Sequence, residues 1–182
     1  MSDELIVREA SPTLAGLKTG SLFTVPYRSC EELMADIAEI NRRLMPKGVS
    51  LRLLRLRRRA LLYLYRPSCL QRDLARQDAA ALLRDFGYAV GDAEQCIGML
   101  AERLCEREDF PHEIGLFLGY PPEDVRGFIA DRREGCKLVG AWKVYGDVEA
   151  AKKRFTQFEK CTAAYCALYR RGSSMERLTV KS

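Results

Sequence analysis

The segment VSLRLLRLRRRALLYLYRP, residues 49–67, decides the fold class. Its leucines alternate with other residues at first, and Leu62-Tyr63-Leu64-Tyr65 alternates again near its end. Alternation with a period of two is typical of a β-strand, whereas a helix repeats its apolar residues every three or four positions. The alternation slips once between the two runs. We therefore predict two antiparallel strands, about 49–56 and 60–66, joined near Arg57-Arg58.

The segments on either side predict further strands and a set of helices. A β-prone run spans 22–25, and KLVGAWKVYGD (137–147) alternates like one strand. Caps and 3–4 spacing of apolar residues predict helices from the Ser29 cap to Pro46, at 68–86, 92–107, 111–118 and 122–132, and after Asp147. The prediction is an α+β fold, in which five or six helices pack over a small, mostly antiparallel sheet of three or four strands.

The chain of 182 residues suits a single domain, since no repeat or Gly/Ser-rich linker divides it. We expect its core to span about 10–170 and the tail 172–182 to be frayed. The start, MSDELIVREASP, has acidic residues where a signal peptide has basic ones, and no apolar run approaches the ~18 residues that span a bilayer. These features predict a cytoplasmic protein without a membrane partner.

Four stretches stand together in this chain: SPTLAGLKTGSLF (11–23), FPHEIGLFLGYPPEDVRGFI (110–129), CKLVGAWKVYGDVEAAKKRF (136–155) and CTAAYC (161–166). They resemble the bacterial family catalogued as domain of unknown function 3793, over roughly residues 10–170. The resemblance implies a single-domain cytosolic protein. It carries over no assigned activity, cofactor or site residue.

The only histidine of the chain, His112, is followed directly by Glu113. Pro111 favours the first helical position, which makes Phe110 the cap and places Glu113 in the first turn, where the helix dipole favours an acid. We therefore expect Glu113 to cap a helix. The same dipole disfavours a protonated imidazole, so His112 is expected to be neutral, as a ligand or a base must be. A purely structural histidine remains the alternative.

The leading functional hypothesis is a cytosolic ligand-binding or accessory protein. Its pocket would form where the 110–122 turns meet the 137–146 strand. Aromatic residues would supply apolar walls, and a few polar groups would orient the ligand. The candidate ligand-binding residues are His112, Glu113, Tyr120, Trp142, Lys143, Tyr145 and, from the glycine-containing turn GLKTGS, Lys18. No motif in the sequence specifies a cofactor.

The second hypothesis is a thiol- or metal-dependent enzyme that uses His112 with Cys136. With one histidine in the chain, any Cys/His pair must include His112. The seven cysteines have no spacing that brings two thiolates together locally, and their odd number argues against a disulfide framework. We expect all seven to be reduced and most of them to fill the core.

The third hypothesis is an RNA-binding protein that uses the arginine-rich hairpin at 52–66. Its arginines would contact phosphates, while Tyr63 and Tyr65 would stack on bases. No RNP-like motif accompanies them. The competing interpretation is a solvated sheet edge that is protected by its charge.

Overall fold

The computed structural model describes residues 1–106, 109–130 and 135–181. These residues form an α+β fold, as predicted. The elements are α1 (Asp3–Leu14), β1 (Gly20–Val25), α2 (Cys30–Leu44), β2 (Ser50–Leu56), β3 (Ala60–Tyr65), α3 (Pro67–Leu74), α4 (Gln77–Asp85), α5 (Ala93–Glu106), α6 (Ile114–Phe117), α7 (Pro122–Ala130), β4 (Leu138–Val139), β5 (Lys143–Val144), α8 (Val148–Arg170) and α9 (Met175–Leu178). Among the described residues, no helix has the length and apolar character needed to cross a membrane.

The chain divides into two compact units. The first contains Met1–Cys69 and Lys160–Ser182, and the second contains Leu70–Glu159. The long helix α8 contributes its first half to the second unit and its second half to the first. Folding of the whole chain as a single domain stays a prediction.

The first unit contains a three-stranded antiparallel sheet in the order β1-β3-β2. This confirms the hairpin predicted from residues 49–67. The slip in the sequence pattern corresponds to a bulge: Leu53 pairs with Leu62 and Arg55 pairs with Leu61, so the register shifts between Leu53 and Arg55. A bulge changes the side toward which the residues after it point. Leu51 and Leu54, on either side of Leu53, are both buried.

The central strand β3 is buried along its entire length. Leu62 and Leu64 belong to the core that also contains residues of α1 and α2. Tyr63 and Tyr65 are buried as well, with their rings stacked at a centroid distance of 4.7 Å. Neither ring is therefore open to a nucleic-acid base, and the RNA-binding hypothesis loses the aromatic platform on which it depended.

Two terminal elements differ from the prediction. Residues 3–14 form α1, which the sequence analysis missed, because Ser2 accepts a hydrogen bond from the Leu5 amide and an apolar face packs into the core. The tail is not frayed. In α9, Met175 is completely buried and Leu178 is 7% exposed, so burial of apolar surface holds this short helix in place.

A buried arginine fixes the end of the chain to α1. Arg66 donates from Nε to the carbonyl of Thr13, and from Nη2 to the carbonyls of Leu14 and Val180, each at 2.7 Å. Thr13 and Leu14 are the last two residues of α1, and carbonyls in the last turn of a helix lack the usual partner four residues on. The guanidinium thus stabilises the helix end and the C-terminal segment together.

Three predictions differ from the structure of the second unit and the start of α3. The helix predicted at 68–86 is two helices, α3 and α4, because Arg76 adopts an extended ψ of 138° between them. The strand predicted at 137–147 is a hairpin of two short strands, in which Leu138 pairs with Val144. The helix predicted at 111–118 begins only at Ile114. The predicted ends of the helices at 92–107 and 122–132 lie outside the described residues.

Candidate ligand-binding site

A cavity of about 390 Å³ lies in the second unit, between the turns before α6, helix α7 and the β4–β5 hairpin. Its size falls within the range of small-molecule sites, roughly 300–1,000 Å³. The walls are mostly apolar. The lining residues are Phe110, Pro111, His112, Ile114, Gly115, Tyr120, Asp124, Val125, Phe128, Trp142 and Lys143.

The aromatic wall is built around Trp142. Its ring stacks with Tyr120 at a centroid distance of 4.9 Å and an interplanar angle of 28°. On α8, Phe155 contacts it edge-on at 4.6 Å, and Phe158 lies at 6.5 Å. Stacked and edge-on contacts are the favoured geometries of aromatic pairs. Trp142 is therefore held from two sides and presents a fixed apolar surface to the cavity.

The side chain of Asp124 joins α7 to the hairpin. Its Oδ2 accepts a hydrogen bond of 2.7 Å from Nε1 of Trp142. Its Oδ1 accepts from the backbone amides of Tyr145 and Gly146, at 2.8 and 2.7 Å. Asp124 is 3% exposed, so these three donors compensate a buried carboxylate.

Two glycines allow the close packing around the site. A Cβ at Gly127 on α7 would overlap the ring of Tyr145, and a Cβ at Gly140 in the hairpin would overlap the ring of Phe155. Neither glycine has a positive φ. They are required for close approach and not for backbone conformation.

Two basic side chains surround one ring of the cavity. The imidazole of His112 meets Phe128 edge-on, with centroids 5.0 Å apart. The ammonium of Lys143 lies 5.4 Å from the centroid of the same ring, within the range of a cation–π contact. The cavity therefore combines aromatic walls with nitrogen donors at one side.

Glu113 does not cap a helix, contrary to the prediction. It precedes α6 with no capping hydrogen bond and is 1% exposed. Its Oε1 accepts from Nη1 of Arg103 at 2.7 Å and from the hydroxyl of Tyr88 at 3.1 Å. Burial, together with the charge of Glu113, raises the pKa of Tyr88. Glu113 is thus a buried ion-pair partner behind the cavity wall and does not line the cavity.

Of the other predicted ligand-binding residues, some line the cavity and one supports the β4–β5 hairpin beside it. His112, Tyr120, Trp142 and Lys143 line one cavity. The hydroxyl of Tyr120 donates to the carbonyl of Ala141 at 3.2 Å, and burial raises the pKa of Tyr120 to about 12. Tyr145 supports the hairpin through its backbone and its contact with Gly127.

Lys18 belongs to the first unit and is not among the residues that line the cavity. It lies in the turn between α1 and β1, where its amide donates to the carbonyl of Pro12 at 3.1 Å. Burial lowers the pKa of Lys18 to about 8.

The cysteines do not assemble a site with His112. The Sγ of Cys136 donates to the carbonyl of Leu138 at 3.3 Å, and Cys136 is not part of the cavity lining. Over the described parts of the chain, no group of three or more His, Cys, Asp or Glu side chains is arranged to hold a metal ion. All seven cysteines are free, but only Cys96 is buried, so the prediction that most of them fill the core is wrong.

Sequence reasoning missed Asp124 and Phe128 as parts of the site. Both are on α7, four residues apart, a spacing that puts them on the same face of a helix. That spacing, together with the neighbouring Val125, indicates which face of α7 lines the cavity. The role of Asp124 has no local signature, because an acid in a first helical turn is common for reasons of the helix dipole alone.

The fold and cavity together define an α+β protein with an aromatic-lined pocket in its second unit. The family model described as "Protein of unknown function (DUF3793)" matches residues 6–179. The chain belongs to this family, as the sequence resemblance indicated. Comparison with curated proteins and with solved structures gives no match.

Proposed function

We propose that the protein binds a small molecule with flat, apolar rings in the cavity of the second unit. The observation that carries the proposal is the set of four aromatic residues, Phe110, Tyr120, Phe128 and Trp142, around a volume of about 390 Å³. Aromatic walls bind flat rings through dispersion and burial of apolar surface. The proposal includes a cytoplasmic location, which the free state of all seven cysteines supports.

The aromatic side chains around the cavity are held in place by their neighbours, which favours a binding site over an aromatic cluster that only fills the core. Trp142 is held by Asp124 and by Phe155, and Tyr120 is held by its stacking on Trp142 and its bond to Ala141. A wall that is already ordered loses little conformational entropy when a ligand arrives. Phe110 at the cavity is 39% exposed, and a ligand would cover apolar surface there.

The test uses the only tryptophan of the chain as the reporter. In ¹⁵N-labelled protein, the indole Nε1–H of Trp142 gives a single cross-peak. We expect 2-naphthamide, which is flat and uncharged, to shift this cross-peak saturably. The fully saturated decahydro analogue of 2-naphthamide has a similar carbon skeleton without flat rings and should bind more weakly.

A pair of variants locates the binding. Phe128→Leu removes an aromatic wall and should weaken 2-naphthamide about fivefold, as expected for the loss of one aromatic contact. Tyr27→Leu changes a partly buried aromatic residue of the first unit and should leave the affinity unchanged. The proposal is wrong if millimolar probe leaves the cross-peak in place, or if the two variants behave alike.

A further inference from the structure

The ionisable groups of the cavity differ in what they can offer a ligand. Four of the lining residues carry them: His112, Tyr120, Asp124 and Lys143. The hydroxyl of Tyr120 already donates to the carbonyl of Ala141. Both oxygens of Asp124 accept hydrogen bonds of 2.7–2.8 Å from the hairpin. A cationic ligand would have to compete with three N–H donors for this carboxylate, and Lys143 would repel it.

The two basic side chains supply the nitrogen donors of the lining. Lys143 is in β5, where pairing with Val139 fixes its backbone, and its ammonium lies 5.4 Å from the centroid of Phe128. His112 meets the edge of the same ring. An ammonium has three N–H donors, and a neutral imidazole has one. Next to aromatic rings, the low local dielectric strengthens the attraction between such donors and an anion.

We infer that the ligand is a flat aromatic molecule with a carboxylate group, and that Lys143 binds this carboxylate. The inference rests on the proposed function and specifies its ligand class. One ammonium with one imidazole matches a singly charged carboxylate better than a phosphate, which carries up to two charges and three acceptor oxygens. The rings of the ligand would lie against Tyr120 and Trp142, with the acid directed toward Phe128 and Lys143.

The experiment compares 2-naphthoate with 2-naphthamide, which have the same rings and differ in charge. Dissociation constants come from the Trp142 indole cross-peak in the full chain. In the unchanged protein, we expect naphthoate to bind about tenfold more tightly than the amide, the size of one charge-assisted hydrogen bond. Raising the salt concentration should reduce this preference, because salt screens a partly exposed ion pair.

Three variants assign the preference to one side chain. In Lys143→Met the carboxylate preference should disappear, whereas Lys143→Arg, which keeps the charge, should retain most of it. Lys153→Met removes an exposed lysine of α8 and should leave the ratio at about ten. The position of the cross-peak without probe shows whether each variant keeps the native site.

The outcomes separate the two proposals. If the amide binds as tightly as naphthoate, or if the preference survives in Lys143→Met, the assignment of a carboxylate ligand is overturned while binding of flat molecules stands. If neither probe moves the cross-peak, the proposed function fails and the assignment of the ligand class fails with it.

Discussion

Asp124 on α7 and Trp142 in the β4–β5 hairpin are joined by a hydrogen bond of 2.7 Å from the indole Nε1 to Oδ2. The other carboxylate oxygen accepts from two backbone amides of the same hairpin. One side chain thus orients the tryptophan and holds the turn that follows it. The shape of the cavity depends on this carboxylate, although no ligand needs to touch it.

Replacement of Asp124 by asparagine should therefore destabilise the second unit. An asparagine has one acceptor oxygen, and its NH₂ would face either the indole N–H or the two amides, so a buried donor loses its partner. We expect a loss of about 3 kcal/mol in the free energy of unfolding, measured by urea denaturation with Trp142 fluorescence. Glu123→Gln, at the exposed neighbouring position, should leave it unchanged. Equal stability of both variants would contradict the role assigned to Asp124.

The ion pair between the buried Glu113 and the partly buried Arg103 gives a second prediction. Arg103 also donates to the carbonyl of Phe86 at 2.7 Å and lies over the ring of Tyr88 at 5.2 Å. Glu113→Gln leaves the partly buried guanidinium without its counter-charge, so we expect a loss of about 3 kcal/mol in the free energy of unfolding, measured by urea denaturation. The exposed Glu102 provides the matched control, and Glu102→Gln should be silent.

A double variant tests whether Glu113 and Arg103 stabilise the protein through their interaction with each other. Replacing both residues, as Glu113→Leu with Arg103→Met, removes the two charges together and should recover part of the stability lost by Glu113→Gln. The single variants Glu113→Leu and Arg103→Met complete the comparison. If the double variant loses as much stability, relative to the unchanged protein, as these two losses added together, the two residues do not act as a pair.

Much of the fold could be predicted because local patterns report it directly. The alternation in residues 49–67 predicts the strands of the hairpin, because successive residues of a strand point to opposite faces of the sheet. The reversal between β4 and β5 could not be predicted in the same way. Gly140 and Trp142 continue the period-two alternation across the turn, so the sequence pattern resembles a single strand. The turn itself depends on a close approach between Gly140 and Phe155 of α8. That contact has no trace in the local sequence.

The candidate site shows the same division. Tyr120, Trp142 and Lys143 were predicted as neighbours because aromatic and basic residues cluster in two adjacent stretches, and they do line one cavity. Glu113 was misassigned because the helix-start pattern explains an acid without reference to distant residues. Its real partners lie 10 and 25 residues away in the chain, and only the tertiary structure brings them together.

The thiols should differ in reactivity in a way that follows their burial. Cys30 and Cys105 are exposed, whereas Cys96 is buried and its Sγ lies 3.6 Å from the carbonyl of Ala89. Burial raises the pKa of Cys96, which lowers its thiolate fraction and slows its reaction. A disulfide reagent at pH 8 should modify Cys30 and Cys105 first and Cys96 only on unfolding, as read by mass spectrometry of the labelled peptides. Seven thiols should react in denaturant, and fewer would indicate a disulfide.

The attachment of α9 should depend on pH through Glu176. The Nε of Arg43 on α2 donates to this carboxylate, and the same guanidinium also binds Asp3 of α1. The hydrogen bond from Arg43 lowers the pKa of Glu176 from its ordinary value of 4.5 to about 2. A carboxyl group whose pKa is lowered by folding stabilises the native state fully above the unfolded pKa, and this contribution is lost as pH falls toward the folded pKa.

The unchanged protein should therefore be more stable than Glu176→Gln above about pH 5, and the difference should shrink between pH 4.5 and 2. Thermal unfolding of both proteins across this range measures it. Glu159→Gln, at an exposed position of α8, serves as the control and should show no such convergence. A stability difference that stays constant down to pH 2 would mean that Glu176 contributes through packing and not through its charge.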